Sequence, residues 1–292
     1  MSMKILPKID IHSHCVPEPL TWRTNGQTFC TPAELRHMYD ELGVEKAVLL
    51  PLPRDLSSRE ARNMVRDFPD TFGWWFCNYD PITEVNDPEA DIGRDLEFYK
   101  AAGARGIGEI VWNLPFDDPN ILNLFRHAER CGLPVLFHIG KKGKDYGLVD
   151  EVGLPRLEKV LGMFPNLKFI GHSQKFWAEI GQCDEKDRGG YPTGKVIPGR
   201  VVELMRKYPN LYGDISAGSG ANAMIRDPEF SYGFLEEFQD RILFGLDICA
   251  PQDSGIRVQQ GAFLDEAMLA GKISYAVYEK VCRGNALALL EK

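Results

Sequence analysis

The chain has 292 residues, 44% of them apolar and 26% charged, which is the composition of a globular protein with a sizeable core. Lys and Arg number 34 against 42 Asp and Glu, so the net charge is −8, and the only basic cluster is Lys141, Lys142 and Lys144. This excludes the concentrated positive charge of a nucleic-acid binder, and no apolar run is long enough to span a membrane.

Eight short β-branched or aromatic runs recur along the chain: Ile5–His12, Lys46–Leu52, Thr71–Tyr79, Arg105–Val111, Pro134–Ile139, Leu167–His172, Leu211–Ile215 and Ile242–Asp247. Helix signals separate them. Thr31-Pro32-Ala33-Glu34 reads as an N-cap, a proline at the first helical position and an acidic first turn, with Gly43 as the stop. Ser57-Ser58-Arg59-Glu60 has the form of a capping box, and Asp118-Pro119 opens a helix that ends at Cys131-Gly132. Phe68-Pro69 and Phe164-Pro165 close two others. Strict alternation of strand and helix predicts a parallel sheet, and eight units close into a (β/α)8 barrel of one domain, residues 1–292. An open doubly wound sheet would carry a Gly-rich fingerprint after its first strand; here His-Ser-His-Cys follows instead.

The seven cysteines are odd in number and form no CxxC, which points to buried thiols in a reducing compartment. MSMKILPKIDIH carries no apolar leader, so a cytoplasmic protein is expected, and the oligomeric state stays open. The polar, glycine-rich segment Gly181–Gly199 follows the sixth strand, where a lid over a barrel site would lie.

Of six histidines, His12, His14, His138 and His172 fall at or just past the C-terminal ends of strands one, five and six, while His37 and His127 lie in helical segments. Asp247 ends strand eight, and Glu109, flanked by glycines, lies near the end of strand four. Residues two apart on a strand share a face, so His12 and His14 point together, at the rim where barrel active sites form. Imidazole and carboxylate suit zinc and other borderline divalent ions. These six residues are therefore candidate ligands for one or two divalent ions, zinc foremost. Asp10 shares the parity of the histidines and is expected either to hydrogen-bond behind them or to serve a purely structural role.

Asp10-Ile11-His12-Ser13-His14, Phe137-His138, Gly171-His172-Ser173, Phe244-Gly245-Leu246-Asp247 and the closing Asn285–Leu290 together resemble the amidohydrolase superfamily, in its amidohydrolase-related branch of decarboxylases and lactonases. The resemblance spans nearly the whole chain. It implies a (β/α)8 barrel holding one or two divalent ions, and a double role for Asp247 as ligand and proton shuttle. Glu109 departs from the one-metal decarboxylases and is similar to the bridging glutamate of TatD-type hydrolases. No lysine on strand four corresponds to the superfamily's carboxylated lysine.

The expected activity is metal-dependent hydrolysis of a small carbonyl or phosphoryl substrate by an activated water, with Asp247 as candidate proton acceptor and a second ion, or His172 where it is not a ligand, polarising the scissile group. A one-metal decarboxylase and an inactive barrel that only binds are the competing expectations. Lys141 and Lys142 are candidates for an anionic substrate group, with solvated lysines as the plainer alternative. Trp112 and Trp177 are candidates for an aromatic wall, with packing the alternative for each. Ser216–Gly220 after strand seven is expected to be a small flexible loop able to offer backbone donors.

Overall fold

In a computed structural model, residues 4–18, 26–52, 56–81 and 86–291 are described. Strands β1 (Lys8–Ser13), β2 (Val44–Leu49) and β3 (Phe72–Trp75) form one parallel sheet. A second holds β4 (Ile107–Ile110), β5 (Val135–Gly140), β7 (Phe169–His172), β8 (Leu211–Asp214) and β9 (Ile242–Leu243), with the short β6 (Leu148–Val149) added to β5. Two seams join the sheets. Cys77 N donates to Gly106 O and Gly108 N to Cys77 O, both at 2.9 Å, linking the β3 and β4 segments. On the other side Ile11 N donates to Phe244 O and Asp247 N to His12 O, both at 3.0 Å. The eight principal strands thus form a closed (β/α)8 ring, as the strand-helix alternation predicts.

The helices between strands are α1 (Pro32–Leu42), α2 (Ser58–Asp67), α3 (Gly93–Ala101), α4 (Pro119–Cys131), α5 (Pro155–Met163), α6 (Gln174–Ala178), α7 (Arg200–Lys207), α8 (Ala217–Ile225) and α9 (Pro228–Glu237). After β9 come α10 (Gln260–Leu269), α11 (Tyr275–Glu279) and α12 (Asn285–Leu290). The capping signals work as the sequence suggests. Glu34 Oε2 accepts from Thr31 N at 2.8 Å, Glu60 Oε2 accepts from Ser57 N at 2.8 Å, and Gly43 ends α1 at φ +68°.

Ile9, Ile11, Val48, Phe76, Leu136, Ile170 and Leu243 fill the barrel interior, and Ala286, Leu289 and Leu290 of α12 pack onto the same cluster. A larger apolar layer lies between the strands and the helices. β1 does not keep one parity. Asp10 turns outward, where Tyr39 Oη of α1 donates to it at 2.6 Å, and a register irregularity lies between Asp10 and Ser13. The irregularity lets His12 join the interior site although Asp10, two residues earlier, does not, which corrects the shared-parity expectation.

One loop expectation also changes. Residues 217–225 form the buried helix α8 rather than a flexible Gly/Ser loop. Gln260 Nε2 ties its start down by donating to Ile215 O at 3.1 Å and Ala217 O at 2.9 Å. The segment 181–199 is tethered. Gln182 N donates to Ile197 O at 2.9 Å, and the Arg188 side chain, 2% exposed, ion-pairs with Glu179 at 2.5 Å and donates to Asp150 O at 2.7 Å. Removing one member of a buried pair strands the other charge. Arg188→Ala is expected to lower the unfolding free energy by about 3 kcal/mol or more. Urea unfolding checks this; an unchanged midpoint would show that the segment is not anchored there.

No described helix is long and apolar enough to cross a membrane. Six of the seven cysteines are buried, and Cys183 is partly exposed.

Candidate metal centre

All six candidate ligands meet at the C-terminal mouth of the barrel. His12 and His14 bring their Nε2 atoms within 3.1 Å of each other. Glu109 Oε2 lies 3.4 Å from His14 Nε2 and 3.7 Å from His12 Nε2. Its other oxygen, Oε1, lies 2.8 Å from His138 Nδ1 and 3.9 Å from His172 Nε2. Asp247 Oδ1 lies 3.7 Å from His12 Nε2, and its Oδ2 lies 4.0 Å from His172 Nε2. Three ligand sets arise, each with its donor atoms within 4.8 Å: His12, His14 and Glu109; His12, His172 and Asp247; and Glu109, His138 and His172.

Local sequence explains how the carboxylates arrive. Gly108 has φ +148°, and a Cβ there would meet Leu136 O at 2.7 Å, so the close approach that presents Glu109 needs glycine. Gly245 leaves room for Asp214, whose Oδ1 would lie 2.5 Å from an added Cβ. Asp247 has φ +52°, a left-handed conformation that aspartate and asparagine accept more readily than most residues.

Asp214 is the residue that the sequence reading missed. Fully buried at the end of β8, it accepts from His12 Nδ1 at 2.7 Å and lies 3.2 Å from His172 Nδ1. Ser216 Oγ donates to Asp214 Oδ2 at 2.7 Å and sits 2.9 Å from His172 Nδ1. This pair fixes two rings with their Nε2 atoms turned inward. A carboxylate closing strand seven was the available signal, obscured because its partners lie on other strands. Asp10 does act from behind, accepting from His12 N at 2.9 Å and Leu246 N at 3.0 Å. At the rim, the guanidinium of Arg257 lies 3.5 Å from Asp247 Oδ2 and pairs with Asp253 Oδ1 at 2.9 Å.

Electrostatics match the geometry. Burial opposes a charge on His12, but the Asp247 charge and hydrogen bonds to Asp214 and Glu109 outweigh it and lift its pKa well above the ordinary value. Burial likewise opposes ionisation of Glu109, yet hydrogen bonds from His12, His138 and His14 hold it well below the usual range. For Asp247, the charges of His12 and Arg257 overcome burial and lower its pKa. His138 is pushed down by burial in spite of Glu109. Burial dominates at Asp10 and raises it to about 7 despite the Tyr39 hydrogen bond.

Other candidates fall away from the centre. Trp177 is 1% exposed and donates from Nε1 to Asp214 O at 2.7 Å, so it packs behind the site rather than forming a wall. Trp112 is half-buried, and its Nε1 donates to Tyr79 O at 3.0 Å. Lys141 and Lys142 are exposed, with Lys141 3.7 Å from Glu185. His37 is exposed on α1, and His127 is buried on α4.

Closed strand ring, inward imidazoles and rim carboxylates define an α/β-barrel enzyme with a histidine–carboxylate centre at the mouth of its strands. The chain belongs to the amidohydrolase family, whose model matches residues 9–292. No curated protein matches its sequence. Among solved structures, an amidohydrolase from Burkholderia multivorans with bound zinc is 13% identical, with a TM-score of 0.63 over 97% of this chain and 99% of that one. A probable 2-pyrone-4,6-dicarboxylic acid hydrolase from Acinetobacter baumannii with citric acid bound is 13% identical, with a TM-score of 0.57 over 98% of this chain and 100% of that one. A 5-carboxyvanillate decarboxylase from Novosphingobium aromaticivorans, complexed with manganese and 4-hydroxy-3-methoxy-5-nitrobenzoic acid, is 14% identical, with a TM-score of 0.53 over the whole of both chains. At these identities the likeness is one of fold. The protein is an enzyme of the amidohydrolase type.

Proposed function

We propose that this enzyme is a two-metal hydrolase, with zinc as the metal and a small substrate bearing a carboxylate. The observation that carries the reading is the placement of Glu109, whose two oxygens face different histidine pairs, His12 with His14 and His138 with His172. A donor set of imidazoles and carboxylates, with His12, His14, Glu109 and His172 buried, fits zinc. A divalent ion in such a site lowers the pKa of its water to about 7 and polarises a carbonyl or phosphoryl oxygen.

The residues of the chain do the rest. His12, His14, His138 and His172 would hold the ions, and Glu109 would offer one carboxylate oxygen to each histidine pair. Asp247, at the rim, accepts the proton of the attacking water and passes it to the leaving group. Asp214 and Ser216 keep the His12 and His172 rings oriented. Arg257 offers a cation beside Asp247 for the substrate carboxylate, in keeping with the carboxylate ligands of two solved relatives. Residues 181–199 serve in this proposal as a lid; Tyr191 of that segment lies against Gly218 at the start of α8.

The fold likeness to a manganese decarboxylase supports a second reading, carbon dioxide release at a single ion. One screen separates the two. Zinc- and manganese-loaded protein, with metal content measured, is assayed against small carboxylate-bearing lactones, amides and phosphoesters and against aromatic carboxylates. Hydrolysis with two ions per chain is expected. Carbon dioxide release with one ion per chain would replace the hydrolase by the decarboxylase.

A further inference from the structure

We propose that Cys249 is a sulfur ligand of this centre, which gives the His14 side a soft donor among the nitrogens and oxygens. The inference rests on the metal-enzyme reading and deepens it.

Cys249 follows Asp247 by two residues, and its Sγ lies 3.2 Å from Asp247 Oδ1. That same oxygen lies 3.8 Å from His14 Nε2. His14, Asp247 and Cys249 each present a donor atom within 4.8 Å of the other two, a fourth ligand set beside the three built from imidazoles and the carboxylates Glu109 and Asp247. The thiol is held in place. Asp253 Oδ2 accepts from Cys249 N at 2.7 Å and from Ala250 N at 2.9 Å, and Cys30 N donates to Cys249 O at 2.7 Å. Cys249 packs with Val16 and Phe29 and is 5% exposed, while its sulfur turns to the carboxylate that faces the histidines.

His14 supplies a second observation. His12 and His172 have their Nδ1 atoms fixed by Asp214 and Ser216, but Nδ1 of His14 is buried without a hydrogen-bond partner. The His14 ring therefore lacks the outer support that orients His12 and His172, and a strong neighbouring ligand would anchor an ion on its side. A thiolate is such a ligand; on binding, the thiol proton leaves to solvent and the sulfur–metal bond forms. The site should then favour zinc and cadmium over manganese and magnesium more than an all-nitrogen-and-oxygen site would.

The test is X-ray absorption at the zinc edge on the full-length, zinc-loaded protein, beside Cys249→Ser and Cys249→Ala, each checked for folding by circular dichroism. The expected result is one sulfur scatterer per chain at about 2.3 Å in the parent protein, absent from both variants with zinc still bound. Zinc surrounded only by nitrogen and oxygen in the parent, or a sulfur signal that survives both substitutions, would overturn the proposal and leave the hydrolase reading standing. A parent protein that takes up no zinc would overturn both.

Discussion

Asp247→Asn is expected to lower kcat by about a thousandfold while most of the bound zinc remains. The loss follows from the chemistry of the group: an amide cannot take up the proton that a carboxylate accepts. The variant is chosen so that little else changes. Asparagine tolerates the left-handed backbone that residue 247 adopts at φ +52°, and its oxygen can still face His12. The Arg257 contact at 3.5 Å loses its charge partner, but Asp253 still holds that guanidinium at 2.9 Å. Steady-state kinetics with metal analysis on the same sample checks the prediction. Full turnover in the variant would remove Asp247 from the chemistry.

Asp214→Asn is expected to weaken zinc binding by about ten- to a hundredfold, although the residue touches no ion in this account. Its carboxylate accepts from His12 Nδ1 and lies beside His172 Nδ1 and Ser216 Oγ. An amide offers one acceptor oxygen where the carboxylate offers two, and its NH2 group faces imidazole N–H donors that it cannot satisfy. Both rings should lose their fixed orientation, and activity should fall with affinity. Competition against a chelating dye gives the zinc dissociation constant, and thermal unfolding of the zinc-free protein separates the metal effect from loss of fold. Unchanged affinity in a folded variant would mean that the rings are oriented by other means.

Most of the barrel was legible because its signals are local. Alternating strand and helix runs, an N-cap with its proline, a capping box and glycine stops each act within a few residues. The six-residue constellation was legible because barrel topology places the ends of all strands on one rim, so the position of a histidine along its strand is enough to locate it. What the sequence hid depends on long-range pairing. Asp214 lacks meaning until β8 lies beside β7 and across from β1. Trp177 follows His172 closely, but α6 turns it into the core. The outward turn of Asp10 depends on a register irregularity that strict alternation cannot anticipate. The Ser216–Gly220 stretch reads as a loop from its small residues, yet those same small residues let α8 pack tightly against its neighbours.

The central claim is that His12, His14, Glu109, His138, His172 and Asp247 form one metal centre. Anomalous diffraction at the zinc edge, on crystals grown from zinc-loaded protein, tests it most directly. The account predicts two peaks at the barrel mouth, each about 2.0–2.2 Å from imidazole nitrogens, with Glu109 within ligand distance of both. A single peak that leaves Glu109 uncoordinated, or peaks only on surface residues, would contradict it.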